Sequence, residues 1–490
     1  MKSRTILTVI LALAPIFACV TPRCVRAAEP LDLGTKREIF VDDYLIDKLE
    51  GTRLVMGQAK DEGVAILFDQ PWEGPYSDYA SVMKVADDDY RMYYRGAPRL
   101  VERHKMEQYT CVALSKDGIN WERPNLGLHE IHGTKENNVI LTEHEYTHNF
   151  APFVDKPGTP KSERFKAVAG ERFTGLVAFS SEDGIHWKKM FGGKPVFKGK
   201  FLDSLNIVFW SEAEKCYVLY GRTWLAGWGG RRWIARATSE DLEHWTAFED
   251  IQILHGGKDV PPEHYYTNGT RPYFRAPHIY ISTFGQIIDG GVLTPAQIAT
   301  LKIDDQRWPK ARSNAGLMSS RGGLTFQRTF MEDFIRLPIG AENWVSRCYY
   351  PAAGVVQTGP AEMSIYLNTT WGQPTRSYRR FSLRLDGFAS LNAPFSGGTM
   401  ITKPFTFEGK KLAINYSTSA RGHIRLQFET PQGEVIEGFE LKHCHEFIGN
   451  EIERHVTFHG SDNLSKLAGK SVRLRVIMQD ADLYSIQFQK

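Results

Sequence analysis

The sequence predicts an all-β protein in which a five-bladed β-propeller is followed by an antiparallel β-sandwich. Three observations lead to this fold class. Aromatic residues make up 12% of the 490 residues and glycine occurs 43 times, as expected of turn-rich β structure. A short turn motif recurs along most of the chain. From about residue 393 the motif stops, and apolar and polar residues alternate, which is typical of half-buried strands.

The first 27 residues have the features of a secretory signal peptide. MKSR is a positively charged start, TILTVILALAPIFA is apolar, and Val25 and Ala27 form a small-residue cleavage site. The apolar run is shorter than a usual membrane-spanning helix, and nothing later in the sequence resembles one. We therefore expect a secreted or periplasmic protein. Processing as a lipoprotein at Cys19 is the less favoured alternative, because Phe17 fits that signal poorly.

The turn motif is the strongest structural signal. Its copies start 58 to 81 residues apart: SKDGINW at Ser115, SEDGIHW at Ser181, SEDLEHW at Ser239, SRGGLTF at Ser320 and the more distant RLDGFAS at Arg384. Ser and Asp side chains hydrogen-bond to backbone amides of a tight turn, and glycine takes the positive φ. Each copy follows a short apolar or β-branched run. A unit of this length holds four strands and their loops, which predicts one propeller blade.

Division of the chain at these turns gives five units and a C-terminal remainder. We predict a propeller over residues 28–392 and a sandwich over residues 393–490. The expected innermost strands are 76–85, 145–154, 201–210, 267–275 and 344–356. The expected sandwich strands are 411–418, 423–430, 434–441, 454–460 and 471–478. One helix is expected at 294–301, with Thr294 as its cap and Pro295 in its first turn.

Composition argues against several classes of function. Sixty basic residues against 57 acidic ones leave a net charge of +3, so there is no basic excess to indicate a nucleic-acid partner. The cysteines beyond the signal peptide are widely separated and include no CxxC spacing, which argues against a disulfide framework and a zinc ribbon. No cofactor is expected. A structural cation in the propeller channel is compatible with the sequence but not required by it.

Residues 144–148, HEYTH, match the zinc-peptidase pattern H-E-x-x-H. That pattern holds zinc only on a helix, where residues four apart face the same way. Here it lies between β-like segments, so we expect an extended chain with His144 and His148 about 13 Å apart, at ~3.3 Å per residue. The surroundings therefore argue against a metal site. The repeat predicts that His148 lies on an inner strand near the propeller channel.

The signal peptide, the S-x-D-[GL]-x-x-W turns and the trailing sandwich resemble the five-bladed glycoside hydrolases of family 32, with family 43 as a relative. This resemblance implies a site in a funnel along the propeller axis, with acidic residues on blades one to three. Asp78, in SDYAS, stands where the blade-one carboxylate is expected. His148 and Asn149 replace the Asp of blade two, and Asp203, in FLDSLN, replaces the Glu of blade three. The family 32 strings WMNDPNG, RDP and EC are missing.

Hydrolysis of a glycosidic bond needs two carboxyl groups, one protonated and one ionised. The predicted catalytic residues are Asp78, Asp203 and Glu263, which opens blade four. Glu342 and Trp344, at the start of blade five, are candidates for substrate contact, as are His148 and Asn149. Each carboxylate has a structural alternative as a turn cap or surface residue.

Aromatic rings provide platforms for sugar rings, and the segment 222–233, RTWLAGWGGRRW, is the richest stretch. Trp224 and Trp228 are predicted to contact substrate, and Arg231, with Arg232, could hold an acidic sugar. The alternative is a hairpin whose tryptophans cover a blade edge. The sequence thus predicts a secreted glycoside hydrolase acting on plant or algal carbohydrate. A non-catalytic glycan-binding propeller is the alternative.

Overall fold

The computed structural model describes residues 29–102, 105–170, 174–199, 202–227, 229–303 and 305–490. The predicted signal peptide lies outside these residues. The N-terminal strands are β1 (Leu31–Gly34), β2 (Arg37–Ile39), β3 (Ile46–Glu50), β4 (Arg53–Met56) and β5 (Lys60–Leu67). Next come β6 (Asp78–Ala86), β7 (Asp89–Gly96), β8 (Leu100–Glu102), β9 (Lys105–Met106), β10 (Tyr109–Ser115), β11 (Val139–Leu141), α1 (His144–Thr147), β12 (Ala151–Val154), β13 (Phe165–Ala169), β14 (Leu176–Ser181), β15 (Lys188–Lys189) and β16 (Pro195–Phe197).

The middle of the chain is also built mostly of strands. They are β17 (Ile207–Ser211), β18 (Cys216–Leu225), β19 (Arg231–Ser239), β20 (Glu249–Asp250), β21 (Gln252–His255), β22 (Lys258–Asp259), β23 (His264–Asn268), β24 (Arg271–Tyr273), β25 (Ala276–Asp289), β26 (Ala311–Ser320) and β27 (Thr325–Gln327), with α2 (Pro295–Leu301) between the last two long strands. The C-terminal strands are β28 (Val356–Gln357), β29 (Glu362–Thr369), β30 (Ser377–Arg384), β31 (Ala389–Ala393), β32 (Gly398–Thr402), β33 (Phe405–Phe407), β34 (Lys411–Glu429), β35 (Asn450–His455) and β36 (Arg473–Gln489).

Five sheets repeat one strand order. The first is β6-β7-β10-β11, the second β12-β13-β14-β15, the third β17-β18-β19-β20, the fourth contains β23-β25-β26-β27, and the fifth is β28-β29-β30-β5. In every sheet the turn motif follows the third strand of this order, so the repeat marks the same corner each time. The all-β class and the propeller-like arrangement are confirmed.

Hydrophobic cores between neighbouring sheets close these sheets into a ring. Separate clusters of buried residues join the first sheet to the second, the second to the third, the third to the fourth and the fourth to the fifth. A further cluster packs the fifth sheet against the first, with Ile66 and Tyr378 on one side and Val82 and Met92 on the other. Side chains on the first strands therefore approach one axis.

The sheets depart from five uniform four-stranded units. The second has a fifth strand, the fourth is enlarged to seven strands, and the last strand of the fifth comes from the N-terminal segment. Two predicted innermost strands are largely irregular. Residues 201–210 become a strand only at Ile207, which leaves Asp203 on the preceding loop, and residues 344–356 end in a strand of two residues.

The prediction that HEYTH is extended was wrong. His144–Thr147 form a single helical turn, α1, directly before β12. The extended strand begins only at Ala151, next to Pro152, whose ring disfavours a helical conformation in the residue before it. His148 follows the helical turn with φ −66 and ψ −42.

The C-terminal part is a sheet of eight strands built on β34 and β36, which have 19 and 17 residues. These two strands pair antiparallel along their length, with a register shift between Thr418 and His423. The predicted strands 411–418 and 423–430 are thus one strand, and 434–441 is not a strand.

Residues 31–56 pair with C-terminal strands and not with the propeller sheets, contrary to the predicted domain range 28–392. Strand β2 pairs with β36, β3 with β32, and β4 with β31, while β1 pairs with β33 in a parallel ladder. The physical reason is burial, because Leu33, Phe40 and Leu45 fill the C-terminal hydrophobic core. The predicted boundary at residue 392 falls inside β31.

The helix predicted at 294–301 is confirmed as α2. The side chain of Thr294 accepts from the Gln297 backbone, and the Gln297 side chain accepts from the Thr294 backbone, which makes a capping box. Among the described residues, no helix has the length and apolar character needed to cross a membrane.

Candidate functional site

Asp78 begins the first strand of the first sheet and is 2% exposed. Its Oδ1 accepts hydrogen bonds from Asn368 Nδ2 at 2.6 Å and Tyr378 Oη at 3.2 Å, and lies 3.3 Å from an Arg376 guanidinium nitrogen. These partners belong to the fifth sheet or its connecting loop. The carboxylate is therefore held at the junction where the ring closes.

Arg95 ends β7 opposite Asp78 and is 4% exposed. One terminal nitrogen donates to the carbonyl of Tyr76 at 3.0 Å, and the other lies 3.3 Å from His148 Nδ1. The guanidinium carbon is 4.6 Å from the centre of the Tyr79 ring. Arg95 thus extends from the first sheet towards the histidine that precedes β12.

His148 connects three sheets. Its Nδ1 is 3.2 Å from Gln108 Oε1, and its ring is hydrogen-bonded to the backbone of Asp203. Burial lowers the pKa of His148 well below its usual range, and the cationic groups of Arg95 and Arg347 lower it further. The imidazole is consequently neutral and can accept a hydrogen bond.

Asp203 is the more accessible carboxylate of the two that lie on the axis. Its side chain is 32% exposed, and its Oδ1 accepts a 2.9 Å ion-paired hydrogen bond from Arg222. A second nitrogen of Arg222 donates to the carbonyl of Tyr266, and the guanidinium lies 4.5 Å from the centre of that ring. Arg222 therefore orients Asp203 while leaving the carboxylate open to solvent.

Tyr266, on β23, is surrounded by cationic side chains. The guanidinium groups of Arg222, Arg232 and Arg347 lie 4.5, 5.2 and 5.7 Å from the centre of its ring. Tyr350 stacks on the ring at 5.0 Å with an angle of 25°. Burial raises the pKa of Tyr266, but the three guanidinium groups outweigh this effect and leave the pKa below its usual value.

Backbone strain is concentrated in the same region. Four non-glycine residues have φ values in the left-handed region, which such residues rarely adopt: Tyr79 (54°), Arg347 (71°), Tyr349 (61°) and Thr370 (49°). Each such residue costs of order 1–3 kcal/mol, and they cluster at functional sites. We call the residues around the axis the axial cluster. Its members are Asp78, Tyr79, Arg95, His148, Asp203, Arg222, Arg232, Tyr266, Arg347 and Tyr350.

The structure brings three of the predicted site residues together in the axial cluster: Asp78, His148 and Asp203. Trp224 borders it, because the Arg232 guanidinium lies 4.6 Å from the centre of its ring. Glu263 has different neighbours. Its carboxylate is bound by Arg328 and Gln286, and Arg328 also contacts Tyr265. Glu263 directly precedes β23 and shares Arg328 with Tyr265, so it is grouped with Tyr265 and not with Tyr266.

The remaining predicted residues have other surroundings. Asn149 is fully buried, and its amide donates to the carbonyls of Gly170 at 2.6 Å and Ser204 at 3.0 Å, which ties two sheets together. Arg231 is 49% exposed and pairs with Asp289 at 3.1 Å. Glu342 accepts from the Asn343 amide at 3.4 Å, next to the half-buried Trp344. Trp228 lies outside the described residues.

Sequence reasoning missed the cationic and phenolic members of the axial cluster. The predicted catalytic residues are all carboxylates, whereas tyrosine and arginine recur together in YYRG, YGRTW and SRCYY, which carry Arg95, Arg222 and Arg347. Arg95 and Arg222 each lie near the end of the second strand of a sheet. This recurrence at equivalent places is the signal that could have identified them.

A separate group of side chains could hold a metal ion. Among the described residues, ligand atoms of Glu440, His443 and His459 all lie within 4.8 Å of one another. The two imidazole rings are 3.7 Å apart, and His443 Nδ1 is 2.6 Å from the Glu440 carboxylate. The group lies in the C-terminal part of the chain and does not include the histidines of HEYTH.

No protein-family model and no curated protein matches this sequence. Solved structures similar to the chain include one described as a glycoside hydrolase, with 13% identity, a TM-score of 0.44 and coverage of 67% of this chain and 92% of the other. A thermostable family 43 glycoside hydrolase has 12% identity, a TM-score of 0.41 and coverage of 66% and 95%. A family 32 β-fructofuranosidase from Bombyx mori, in complex with sucrose, has 10% identity, a TM-score of 0.42 and coverage of 87% and 94%.

Proposed function

We propose that the protein is a secreted or periplasmic carbohydrate-active enzyme, a five-bladed propeller that hydrolyses glycosidic bonds at the axial cluster. One observation carries the proposal: carboxylates from separate sheets, Asp78 and Asp203, lie among the same tyrosine, arginine and histidine side chains. Sugars pack on aromatic rings, and glycosyl transfer uses two carboxyl groups with different surroundings.

The surroundings of the two carboxylates suggest different roles. Asp203 is 32% exposed and has one guanidinium partner, so it can exchange a proton with a bound substrate. Asp78 is buried and bound by three side chains of the fifth sheet. It would act as a fixed negative charge that stabilises the positive charge developing on the sugar ring.

The test compares the wild-type protein with Asp203→Asn and Asp78→Asn on a panel of plant and algal polysaccharides. Release of reducing ends is measured. We expect Asp203→Asn to lower the rate by about 10²–10⁴-fold, the range of general acid–base catalysis, with substrate binding retained. The control is Asp61→Asn, which removes one partner of a half-exposed ion pair with Arg379 and should leave the rate unchanged.

A non-catalytic glycan-binding propeller is the second candidate, favoured by the fact that both axial carboxylates are engaged by arginines. It predicts that a glycan of the panel binds to the wild-type protein without any release of reducing ends. Unchanged hydrolysis by both Asp203→Asn and Asp78→Asn would contradict the assignment of these residues.

A further inference from the structure

Positive charge exceeds negative charge in the axial cluster. Its two carboxylates are already engaged, Asp203 by Arg222 and Asp78 by Arg376. Within the described residues, Arg95, Arg232 and Arg347 form no ion pair with any carboxylate. The charges of Arg95 and Arg347 both act on His148, and those of Arg232 and Arg347 both act on Tyr266.

This excess lies largely out of water. Arg95 is 4% exposed, and its Nε is buried without a hydrogen-bond partner, as is the Nε of Arg232. Burial of an ionised group without a counter-charge costs several kcal/mol, so buried charges are normally paired. An anion from outside the chain would supply the missing partner.

Arg232 and Arg347 are held in place by aromatic rings and not by acids. The guanidinium of Arg232 lies 4.6 Å from the centre of the Trp224 ring, and that of Arg347 lies 5.0 Å from the centre of the Trp371 ring. A guanidinium held in this way has N–H donors that no carboxylate occupies, and it presents a planar fork that fits carboxylate and sulfate oxygens. The stacked pair of Tyr266 and Tyr350 provides an adjacent apolar face.

We propose that the axial cluster binds an anionic sugar residue, with Arg232 and Arg347 contacting the carboxylate of a uronic acid or the sulfate of a sulfate ester, and the buried Arg95 adding to the positive charge of the cluster. This proposal rests on the proposed function, because it names the substrate class of the same site. The neutral His148 accepts a hydrogen bond and adds no further positive charge.

The test measures binding by isothermal titration calorimetry at constant ionic strength. The probes differ only at carbon six: D-galactose, D-galacturonate and D-galactose 6-sulfate, with the corresponding glucose series in parallel. We expect at least one anionic sugar to bind at least tenfold more tightly than its neutral counterpart. Comparison of the carboxylate and sulfate arms identifies which anion is recognised.

Variants assign the effect to Arg232 and Arg347. Arg232→Gln and Arg347→Gln should each weaken binding of the anionic sugar by about tenfold to a hundredfold, since hydrogen bonds to charged groups are strong. Binding of the neutral sugar should change little. Arg379→Gln is the control, because Arg379 lies in the fifth sheet outside the axial cluster and pairs with Asp61 at 2.9 Å.

Equal affinity for neutral and anionic sugars, or no binding in either series, would overturn the proposal. So would an equal loss of affinity in Arg379→Gln. Hydrolysis of neutral glycans without preference for the anionic sugars would refute this inference and leave the proposed hydrolase standing. Anionic sugars that bind through the arginines without hydrolysis of any polysaccharide would support this inference and refute the proposed hydrolase.

Discussion

The imidazole of His148 lies near two cationic side chains, Arg95 and Arg347, and the exposed His144 adds to the same field. Because burial and these charges depress its pKa in the folded protein, the protonated form is disfavoured relative to the unfolded chain, where histidine titrates near ~6.5. The contribution of the neutral His148 to the stability of the folded state is therefore fully present above about pH 6.5. It falls as acid protonates the unfolded chain preferentially.

Replacement of His148 by Gln should reduce this acid sensitivity, because glutamine accepts a hydrogen bond at every pH and takes up no proton. We expect the wild-type protein to lose more thermal stability than His148→Gln between pH 7 and pH 5. The measurement is the melting temperature by differential scanning calorimetry across that range. His445→Gln, which removes an exposed histidine of the C-terminal part, is the control and should follow the wild-type curve. Parallel curves for wild type and His148→Gln would contradict the assignment.

The repeated turn is an element whose geometry follows from a few local bonds. In its first copy, Asp117 Oδ1 accepts from the backbone amides of Ile119 and Asn120, each at 2.8 Å, and Ser115 Oγ accepts from the amide of Gly118 at 2.9 Å. Gly118 has φ +72. In the third copy Leu242 stands at the glycine position with φ +71, so its backbone is strained while its side chain is buried.

Replacement of Asp117 by Ala removes the acceptor of this turn. We expect a loss of about 1–2 kcal/mol in the free energy of unfolding at pH 7, since each hydrogen bond contributes of order 1 kcal/mol. Burial alone would raise the pKa of Asp117, but the amides of Asn120 and Ile119 outweigh it and lower the pKa to about 2. This stabilisation is present above about pH 3.9 and is lost as the pH falls towards 2.

Urea denaturation of Asp117→Ala and wild type at pH 7 and pH 3 checks the expected difference and its decrease in acid. Asp88→Ala, at an exposed hairpin position, is the control and should change stability by less than about 0.5 kcal/mol. An equal effect of the two variants at pH 7 would show that the motif does not depend on its aspartate.

Elements whose bonds are local could be predicted from sequence, and elements that depend on distant partners could not. The turn at Ser115 and the helix after Thr294 satisfy their polar groups within a few residues. By contrast, Lys60 pairs with Ser382, and no local pattern indicates such a partner. The candidate site divides in the same way. Asp78 was predicted from the resemblance to family 32, as the carboxylate of blade one, whereas the approach of Arg95 to His148 depends on how two sheets pack.

The whole molecule is held together where the propeller meets the C-terminal sheet. Asp386 lies in the most distant copy of the turn motif, yet its carboxylate is fully buried and bonds outside the turn. Its partners are Tyr273 at 2.8 Å and Arg275 at 2.9 Å beside the fourth sheet, and Ser485 at 2.6 Å, Asn415 at 3.0 Å and Arg37 at 3.4 Å in the C-terminal sheet. One side chain thus links the two parts of the chain.

Removal of this carboxylate should destabilise the molecule as a whole. We expect Asp386→Ala to lower the free energy of unfolding by about 3–5 kcal/mol, because Arg37 and Arg275 would both lose their fully buried counter-charge. Glu453→Ala is the matched control, since Glu453 contacts the same Arg37 from a 47% exposed position and should contribute at most ~1 kcal/mol. Urea denaturation measures the free energy of unfolding, and calorimetry is then performed on the same variants.

Calorimetry adds a second readout, because the N-terminal strands and Asp386 couple the propeller to the C-terminal sheet. A protein coupled in this way unfolds in one cooperative transition, and weakening of the link allows the parts to unfold separately. We expect one transition for wild type and Glu453→Ala, and a broadened or divided transition for Asp386→Ala. Two separate transitions in the wild-type protein would show that the two parts are stable independently. A loss below 1 kcal/mol in the free energy of unfolding of Asp386→Ala would show that Asp386 does not couple them.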